Sequence, residues 1–157
     1  MPPVAIALGS NVGDREQYLK DAIASLAPVV SNLRLSRLIE TEPVDMAGGQ
    51  RRVVNAAATG ETSISARALL ERMLEIEQQL GRTRPHPGAA RTVDLDLILY
   101  GSDIIDEPPT LIVPHPRFRE RSFVLEPLAD VAADWTDPVT GLTIARLLKN
   151  LRDVDSR

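Results

Sequence analysis

Cysteine is absent from the 157-residue chain, and aromatic residues number five. Without cysteine, the chain forms no disulfide bonds or thiolate metal sites and has no thiol nucleophile. No apolar run approaches the roughly 18 residues that a membrane-spanning helix needs. The N-terminus also lacks the basic and apolar segments of a secretory signal. We therefore expect a cytoplasmic protein that has no membrane partner.

Lysine is nearly absent as well, with two lysines against 16 arginines, and the formal net charge is −4. An excess of acidic residues argues against electrostatic capture of nucleic acid as the main activity. Hydrophobic residues make up 43% of the chain, and its length suits one domain with a core of its own. We expect a single domain over residues 1–157, and nothing in the sequence demands more than a monomer.

The spacing of apolar residues predicts a β-α-β-β-α-β order of elements. This order is typical of a ferredoxin-like α+β sandwich, with a mainly antiparallel sheet, helices on one face and a C-terminal helical appendix. Asp14 is the predicted cap of the first helix and Ser63 that of the second. The predicted strands are 4–8, 33–41, 53–59 and 93–100; the predicted helices are 14–28, 63–81 and 143–151; residues 103–116 are expected to be extended.

Acidic and apolar residues alternate in the strand at 93–100. Because successive side chains on a strand point to opposite faces, Val93, Leu95, Leu97 and Leu99 should share the core face. Asp94 and Asp96 then share the other face, with Cα atoms roughly 6.5–7 Å apart. Two carboxylates at that separation suit a pair of Mg²⁺ ions that also bind substrate phosphates. The alternative is that both aspartates point into water.

Two arginine clusters flank this acidic pair. Guanidinium groups pair bidentately with phosphate oxygens, so cations beside a metal-binding acid pair suggest that a nucleoside triphosphate binds between them. Surface arginines that pair with nearby acids remain the alternative. The clusters are Arg82, Arg84 and Arg91 before the strand, and Arg117, Arg119 and Arg121 after it.

Four segments of the chain resemble motifs of the 6-hydroxymethyl-7,8-dihydropterin pyrophosphokinase family. The resemblance spans roughly residues 4–135, in the family's order. The segments are Ala7-Leu8-Gly9-Ser10-Asn11, Arg91-Thr92-Val93-Asp94-Leu95-Asp96, Val113-Pro114-His115-Pro116 and Arg121-Ser122-Phe123-Val124-Leu125-Glu126-Pro127-Leu128.

The resemblance implies a folate-biosynthesis enzyme that transfers diphosphate from ATP to the pterin hydroxymethyl group with two Mg²⁺ and releases AMP. It implies that Asp94 and Asp96 bind the metal and that Arg82 and Arg91 are mobile catalytic arginines. The ATP-site residues it implies are Glu77, Arg82, Arg84, Arg91, Ile98, His115 and Arg121. The pterin-site residues it implies are Thr41, Pro43, Val44, Val53, Asn55 and Phe123, with Asn55 on the polar edge of the ring and Phe123 on its face.

Two departures from the family pattern concern the pterin site and the shorter loop before Arg91. Val53 stands where an aromatic residue commonly forms the second half of the pterin sandwich, and loss of that stacking would cost about 0.5–1.5 kcal/mol. Gly88-Ala89-Ala90 stands where some members carry a tryptophan over the closed site. Neither departure touches the aspartates or the arginines.

Three other functions share this topology. An RNA-binding module would need surface aromatics and a basic face, and a regulatory ligand-binding domain would not need two aspartates between two arginine clusters. A nucleotidyl-transfer palm also uses two metals, but it would release pyrophosphate instead of AMP.

Overall fold

The computed structural model describes residues 1–11, 14–41, 53–81 and 93–155. No helix in these ranges is both long and apolar enough to cross a membrane. The strands are β1 (Pro3–Ser10), β2 (Ser31–Leu35), β3 (Ile39–Thr41), β4 (Val53–Glu61), β5 (Asp94–Tyr100), β6 (Ile105–Glu107) and β7 (Leu111–Val113). The helices are α1 (Arg15–Leu26), α2 (Ala66–Gly81), α3 (Ser122–Ala132) and α4 (Ile144–Asp155), with a 3₁₀ turn at Phe118–Glu120.

The main sheet has the strand order β2-β4-β1-β5. Strand β3 pairs with the same edge of β4 as β2 does, but with the first three residues of β4, whereas β2 pairs with its last four. All of these pairings are antiparallel. Strand β1 is therefore flanked by β4 and β5, and within the ranges given above β5 is an edge strand. The ferredoxin-like α+β prediction is confirmed. The predicted strand at 33–41 is divided into β2 and β3, and the extended segment 103–116 contains the hairpin of β6 and β7.

Helices cover both faces of the sheet, so the prediction of helices on one face is wrong. One core cluster joins the sheet to α1 and α2, through residues such as Leu19, Leu69 and Met73. A second cluster joins the opposite face to α3 and α4, through residues such as Leu125 and Ile144. The second face is apolar too, and its small alanines let α3 pack closely on it.

Helix α3 is absent from the sequence prediction because Pro127 lies inside it. Proline lacks the N–H that a helix interior needs and is expected to end a helix. Burial outweighs that loss here, since Val124, Leu125 and Leu128 are all nearly inaccessible to solvent.

A β-bulge interrupts the pairing of β5 with β1. Ala5 is opposite Leu99, but the next residue, Ile6, is opposite Leu97, so Ile98 is the extra residue. Beyond the bulge the side-chain alternation is reversed, and Ile98 and Leu99 both join the second cluster. The prediction that Leu99 shares the face of Leu97 is therefore wrong, although it is right for the three apolar residues before the bulge.

The first two helices are each capped by a side-chain oxygen. Asp14 accepts a hydrogen bond from the Gln17 N–H at 3.2 Å, as predicted. The second helix is capped by Ser65, whose Oγ accepts from the Ala68 N–H at 3.1 Å. The prediction that Ser63 caps this helix is wrong, because α2 begins three residues after it, at Ala66.

Candidate active site

Strand β1 forms the floor of a cavity on the α3 side of the sheet. Gly9 is opposite Asn55 on β4 and opposite Asp94 on β5, so these residues form one cross-strand row. In the next row on the same face, Ala7 is opposite Asp96. Small residues at the centre leave room above them, and the cavity has a volume of about 510 Å³.

Asp94 and Asp96 both line this cavity, with Asp94 exposed and Asp96 half-buried. No group of three or more potential ligands (His, Cys, Asp or Glu) occurs in the part of the chain that the structure describes. A pair of carboxylates fits Mg²⁺, which usually retains waters and is held by one or two carboxylates plus substrate phosphates. The donor set is thus suited to a metal that arrives with a phosphorylated substrate.

Asn55 lies on the other side of the cavity and is 5% exposed. Its Nδ2 donates a hydrogen bond to Thr41 Oγ1 at 2.7 Å, which fixes the orientation of the amide. Its Oδ1 lies over Gly9, where an added Cβ would be 3.3 Å from it. Val53, the first residue of β4, lines the same cavity. This side of the cavity therefore offers a fixed acceptor beside an aliphatic side chain.

The chain between the 3₁₀ turn and α3 closes the cavity from above. Phe123 is half-buried in the first turn of α3, and the Arg121 guanidinium lies 5.7 Å from the centre of its ring. Arg117 and Glu120 also line the cavity. Glu120 was not a candidate in the sequence, because an acidic residue among arginines is equally consistent with a surface ion pair.

Arg119 is turned away from the cavity, although it belongs to the same alternating arginine pattern. Its Nη2 donates to Asp137 Oδ1 at 2.9 Å, and the Asp137 side chain is fully buried. Burial alone would raise the pKa of Asp137. Hydrogen bonds from Arg119, Thr140 and the Val139 N–H outweigh burial, and the pKa lies below the ordinary value. The expectation of a phosphate-facing cluster of three arginines is therefore wrong for Arg119, which pairs with a buried acid.

A smaller cavity of about 210 Å³ adjoins Asp96 and is lined by His115 and by apolar residues of α2 and β7. The His115 N–H donates to the Ile98 carbonyl at 3.0 Å, and His115 Nδ1 accepts from the Arg117 N–H at 3.2 Å. Burial lowers the pKa of His115; Asp96 opposes this, and Arg121 and Arg117 add to it. The imidazole is thus neutral near pH 7, with Nε2 left to carry its proton.

Glu77 and Ile98 line neither of these two cavities. The Ile98 side chain is 1% exposed, so its carbonyl is the part that meets the His115 segment. Glu77 Oε2 accepts a hydrogen bond from the Leu95 N–H at 2.7 Å. Five further candidates, Pro43, Val44, Arg82, Arg84 and Arg91, lie outside the described residues.

Comparison with known proteins shows the family of the chain. Residues 5–133 match the family described as 7,8-dihydro-6-hydroxymethylpterin-pyrophosphokinase. The chain is 46% identical over 128 residues to a 2-amino-4-hydroxy-6-hydroxymethyldihydropteridine pyrophosphokinase of Bacillus subtilis, covering 80% of this chain and 75% of that protein. A protein of the same name from Synechocystis is 38% identical over 147 residues, covering 93% of this chain and 74% of that protein.

Longer proteins match as well. The folic acid synthesis protein fol1 of Pneumocystis carinii is 40% identical over 153 residues, which cover 97% of this chain but 20% of that protein. The fold resembles the crystal structure of wild-type Plasmodium falciparum HPPK-DHPS with a TM-score of 0.76 at 13% identity, covering 95% of this chain and 44% of that one. The chain belongs to the 7,8-dihydro-6-hydroxymethylpterin-pyrophosphokinase family and has the pyrophosphokinase activity of folate biosynthesis.

Proposed function

We propose that the protein transfers the diphosphate group of ATP to the hydroxymethyl oxygen of 6-hydroxymethyl-7,8-dihydropterin and releases AMP, with two Mg²⁺ bound at Asp94 and Asp96. Family membership supplies the activity. One observation carries the site: a single cavity is lined by both aspartates, which lie on β5, and by a second pair, Asn55 on β4 and Phe123 at the start of α3. An acceptor held by the second pair would present its reactive oxygen to phosphates held by the first.

The pterin side of the cavity suits a flat ring whose polar edge carries N–H donors. Asn55 Oδ1 is an acceptor held in place by the bond from Asn55 Nδ2 to Thr41. The Phe123 ring supports stacking on one face, while Val53 offers an aliphatic surface in place of a second aromatic ring. We assign Thr41, Val53, Asn55 and Phe123 to pterin binding, together with Pro43 and Val44.

The nucleotide side combines the carboxylates with cationic and neutral donors. Bound Mg²⁺ would neutralise phosphate charge and acidify the attacking hydroxyl. Arg121 contributes positive charge at the cavity, and neutral His115 can donate from Nε2 in the adjoining cavity beside Asp96. Apolar residues of that second cavity suit a nucleobase. We assign Arg121, His115 and the apolar residues of the second cavity to ATP binding. Arg82, Arg84, Arg91 and the Ile98 backbone are assigned to the same site.

The reaction requires positioning and charge neutralisation more than covalent catalysis. The hydroxymethyl oxygen attacks the β-phosphorus while the bond from this phosphorus to the oxygen shared with the α-phosphorus breaks. The departing AMP keeps that oxygen, and the hydroxyl proton is lost to solvent. Asp94, Asp96 and Arg121 lower the barrier by holding the reacting groups in line, and we assign no side chain as general base. The expected monomer and cytoplasmic location stay predictions.

The identity of the nucleotide product tests this proposal. The protein is mixed with ATP, Mg²⁺ and 6-hydroxymethyl-7,8-dihydropterin, and the nucleotides are separated by chromatography. We expect AMP, formed when the pterin is present and not when it is omitted. Release of ADP would mean an ordinary kinase, and release of pyrophosphate would mean nucleotidyl transfer. Either product would overturn the proposal.

A further inference from the structure

The two aspartates lie on β5, which has no further strand paired to its outer side among the described residues. Leu95 lies between them, and its N–H is bound by Glu77 Oε2 at 2.7 Å. Its side chain points to the opposite face, where it is 6% exposed in the core. The residue between the carboxylates is therefore held both by its side chain and by its backbone.

Glu77 reaches this position from a well-anchored helix. Its neighbour Ile76 is fully buried, as is Met73 one turn earlier, so this face of α2 is packed against the sheet. Glu77 itself is half-buried beside them. A side-chain oxygen on a packed helix is an acceptor at a fixed position, and its distance from the strand is set by the length of the side chain.

A second attachment fixes the same strand on the other side of Asp96. The Ile98 carbonyl, at the bulge, accepts from the His115 N–H at 3.0 Å. Asp96 thus lies between two points at which the strand is bound from its surroundings. Loss of the Glu77 contact would leave this end of β5, which carries both carboxylates, bound along one edge only, by its pairing with β1.

We propose that Glu77 is a positioning residue, which binds the Leu95 N–H and thereby holds the Asp94 and Asp96 carboxylates at the spacing that the metal-nucleotide complex requires. The inference rests on the proposed function, in which these aspartates bind Mg²⁺. It differs from a direct nucleotide contact by Glu77, which is what family resemblance alone implies. The two roles depend on different properties of the side chain: its length for positioning, and its charge for a nucleotide contact.

Three substitutions in the full chain separate these properties. Glu77→Gln keeps the length and an acceptor oxygen but removes the charge. Glu77→Asp keeps the charge but is one methylene too short to reach Leu95. Glu77→Ala removes both, and Glu71→Ala is the matched control, since Glu71 is exposed on the same helix.

The measurement is binding of a non-hydrolysable ATP analogue by calorimetry at stepped Mg²⁺ concentrations, with exchange of the Leu95 amide proton followed by NMR. We expect Glu77→Ala and Glu77→Asp to need roughly 10- to 100-fold more Mg²⁺ for half-maximal binding. They should also exchange the Leu95 proton faster. Glu77→Gln and Glu71→Ala should resemble the unsubstituted protein in both measurements.

Opposite results would overturn the inference. If Glu77→Gln is impaired while Glu77→Asp is not, charge matters and Glu77 contacts the nucleotide. An unchanged Mg²⁺ requirement in Glu77→Asp, with faster Leu95 exchange, would show that the strand anchor does not position the carboxylates. If Glu77→Ala fails to fold, the Gln and Asp pair still decides. A distinct outcome, analogue binding by the unsubstituted protein that does not depend on Mg²⁺, would refute the proposed metal function itself.

Discussion

Asn55 and Asp94 lie in one cross-strand row of the sheet, on the two sides of Gly9. Neighbouring strands are about 4.7–4.9 Å apart, so the backbones of the two residues are separated by roughly 10 Å. A flat bicyclic ring with one short substituent can span that distance. In the proposed binding mode, this row would place the polar edge of the acceptor at Asn55 and its reactive oxygen towards Asp94.

Replacement of Gly9 by alanine tests the importance of this open floor. An added Cβ would lie 3.3 Å from Asn55 Oδ1 and 3.6 Å from Val53 Cγ1, on the pterin side of the cavity. We expect the KM for the pterin to rise about tenfold, equivalent to about 1.4 kcal/mol, while binding of an ATP analogue stays unchanged. Steady-state kinetics with each substrate varied in turn measure this. Equal losses for both substrates would argue against a ring that lies over Gly9.

Substitution of the proposed metal ligands should reduce activity more than substitution of Gly9. Asp94→Asn and Asp96→Asn keep the size of each side chain but weaken its interaction with a cation. Because phosphate charge would then be poorly neutralised, kcat should fall by roughly a hundredfold or more. Asp106→Asn, an exposed carboxylate on β6, is the control and should be fully active. Near-normal turnover by both site variants would refute the metal assignment.

Much of this site could be predicted from short-range patterns. Alternation along the strand correctly placed Asp94 and Asp96 on one face, because side-chain direction in a strand depends on neighbouring residues alone. The reversal at Leu99 could not be predicted, because it results from a bulge in the pairing with β1. Long-range pairing of this kind leaves no mark in the sequence of one strand.

The functions of individual charged residues could not be predicted from the sequence either. Arg119 and Arg121 are equivalent in an alternating pattern, yet one pairs with buried Asp137 and the other lines the cavity. The two arginines differ because Arg119 pairs with Asp137, which lies in a turn sixteen residues after Arg121. Glu77 was expected from family resemblance to serve ATP, and its contact with the Leu95 N–H required the packing of α2 against β5.

The two arginines should respond to substitution in opposite ways. Arg119→Ala removes the partner of a fully buried carboxylate, and we expect a loss of about 2–3 kcal/mol in the free energy of unfolding, reduced from the buried-pair range because Arg119 is 25% exposed. Arg121→Ala should unfold at nearly the same denaturant concentration but lose activity. Urea titration and steady-state kinetics on both proteins measure the difference. A large stability loss in Arg121→Ala would contradict it.

Asp137 makes the free energy of unfolding depend on pH. Its pKa is lower in the folded protein than in the unfolded chain, because hydrogen bonds led by that from Arg119 outweigh the effect of burial. The unfolded chain therefore takes up the proton first as the pH falls. The stabilisation is complete well above the ordinary aspartate pKa and is lost progressively on acidification below about pH 5.

Urea midpoints between pH 7 and pH 3 check this dependence. The unsubstituted protein should lose stability more steeply over that range than Asp137→Asn, which cannot ionise and starts from a lower stability at pH 7. Parallel curves for the two proteins would mean that other carboxylates account for the acid sensitivity.

Ser10 is a buried polar residue at the end of β1. Its side chain is 2% exposed, and its Oγ has no hydrogen-bond partner among the described residues. Burying a hydroxyl without a partner is costly, so Ser10→Ala should raise the free energy of unfolding by up to about 1 kcal/mol. Ser36→Ala is the contrast, because Ser36 Oγ accepts the Ala57 N–H at 2.8 Å. That substitution should lower the free energy by about 1 kcal/mol or more. If thermal and urea unfolding show Ser10→Ala to be as destabilised as Ser36→Ala, then Ser10 is bonded in solution to water or to a neighbouring segment.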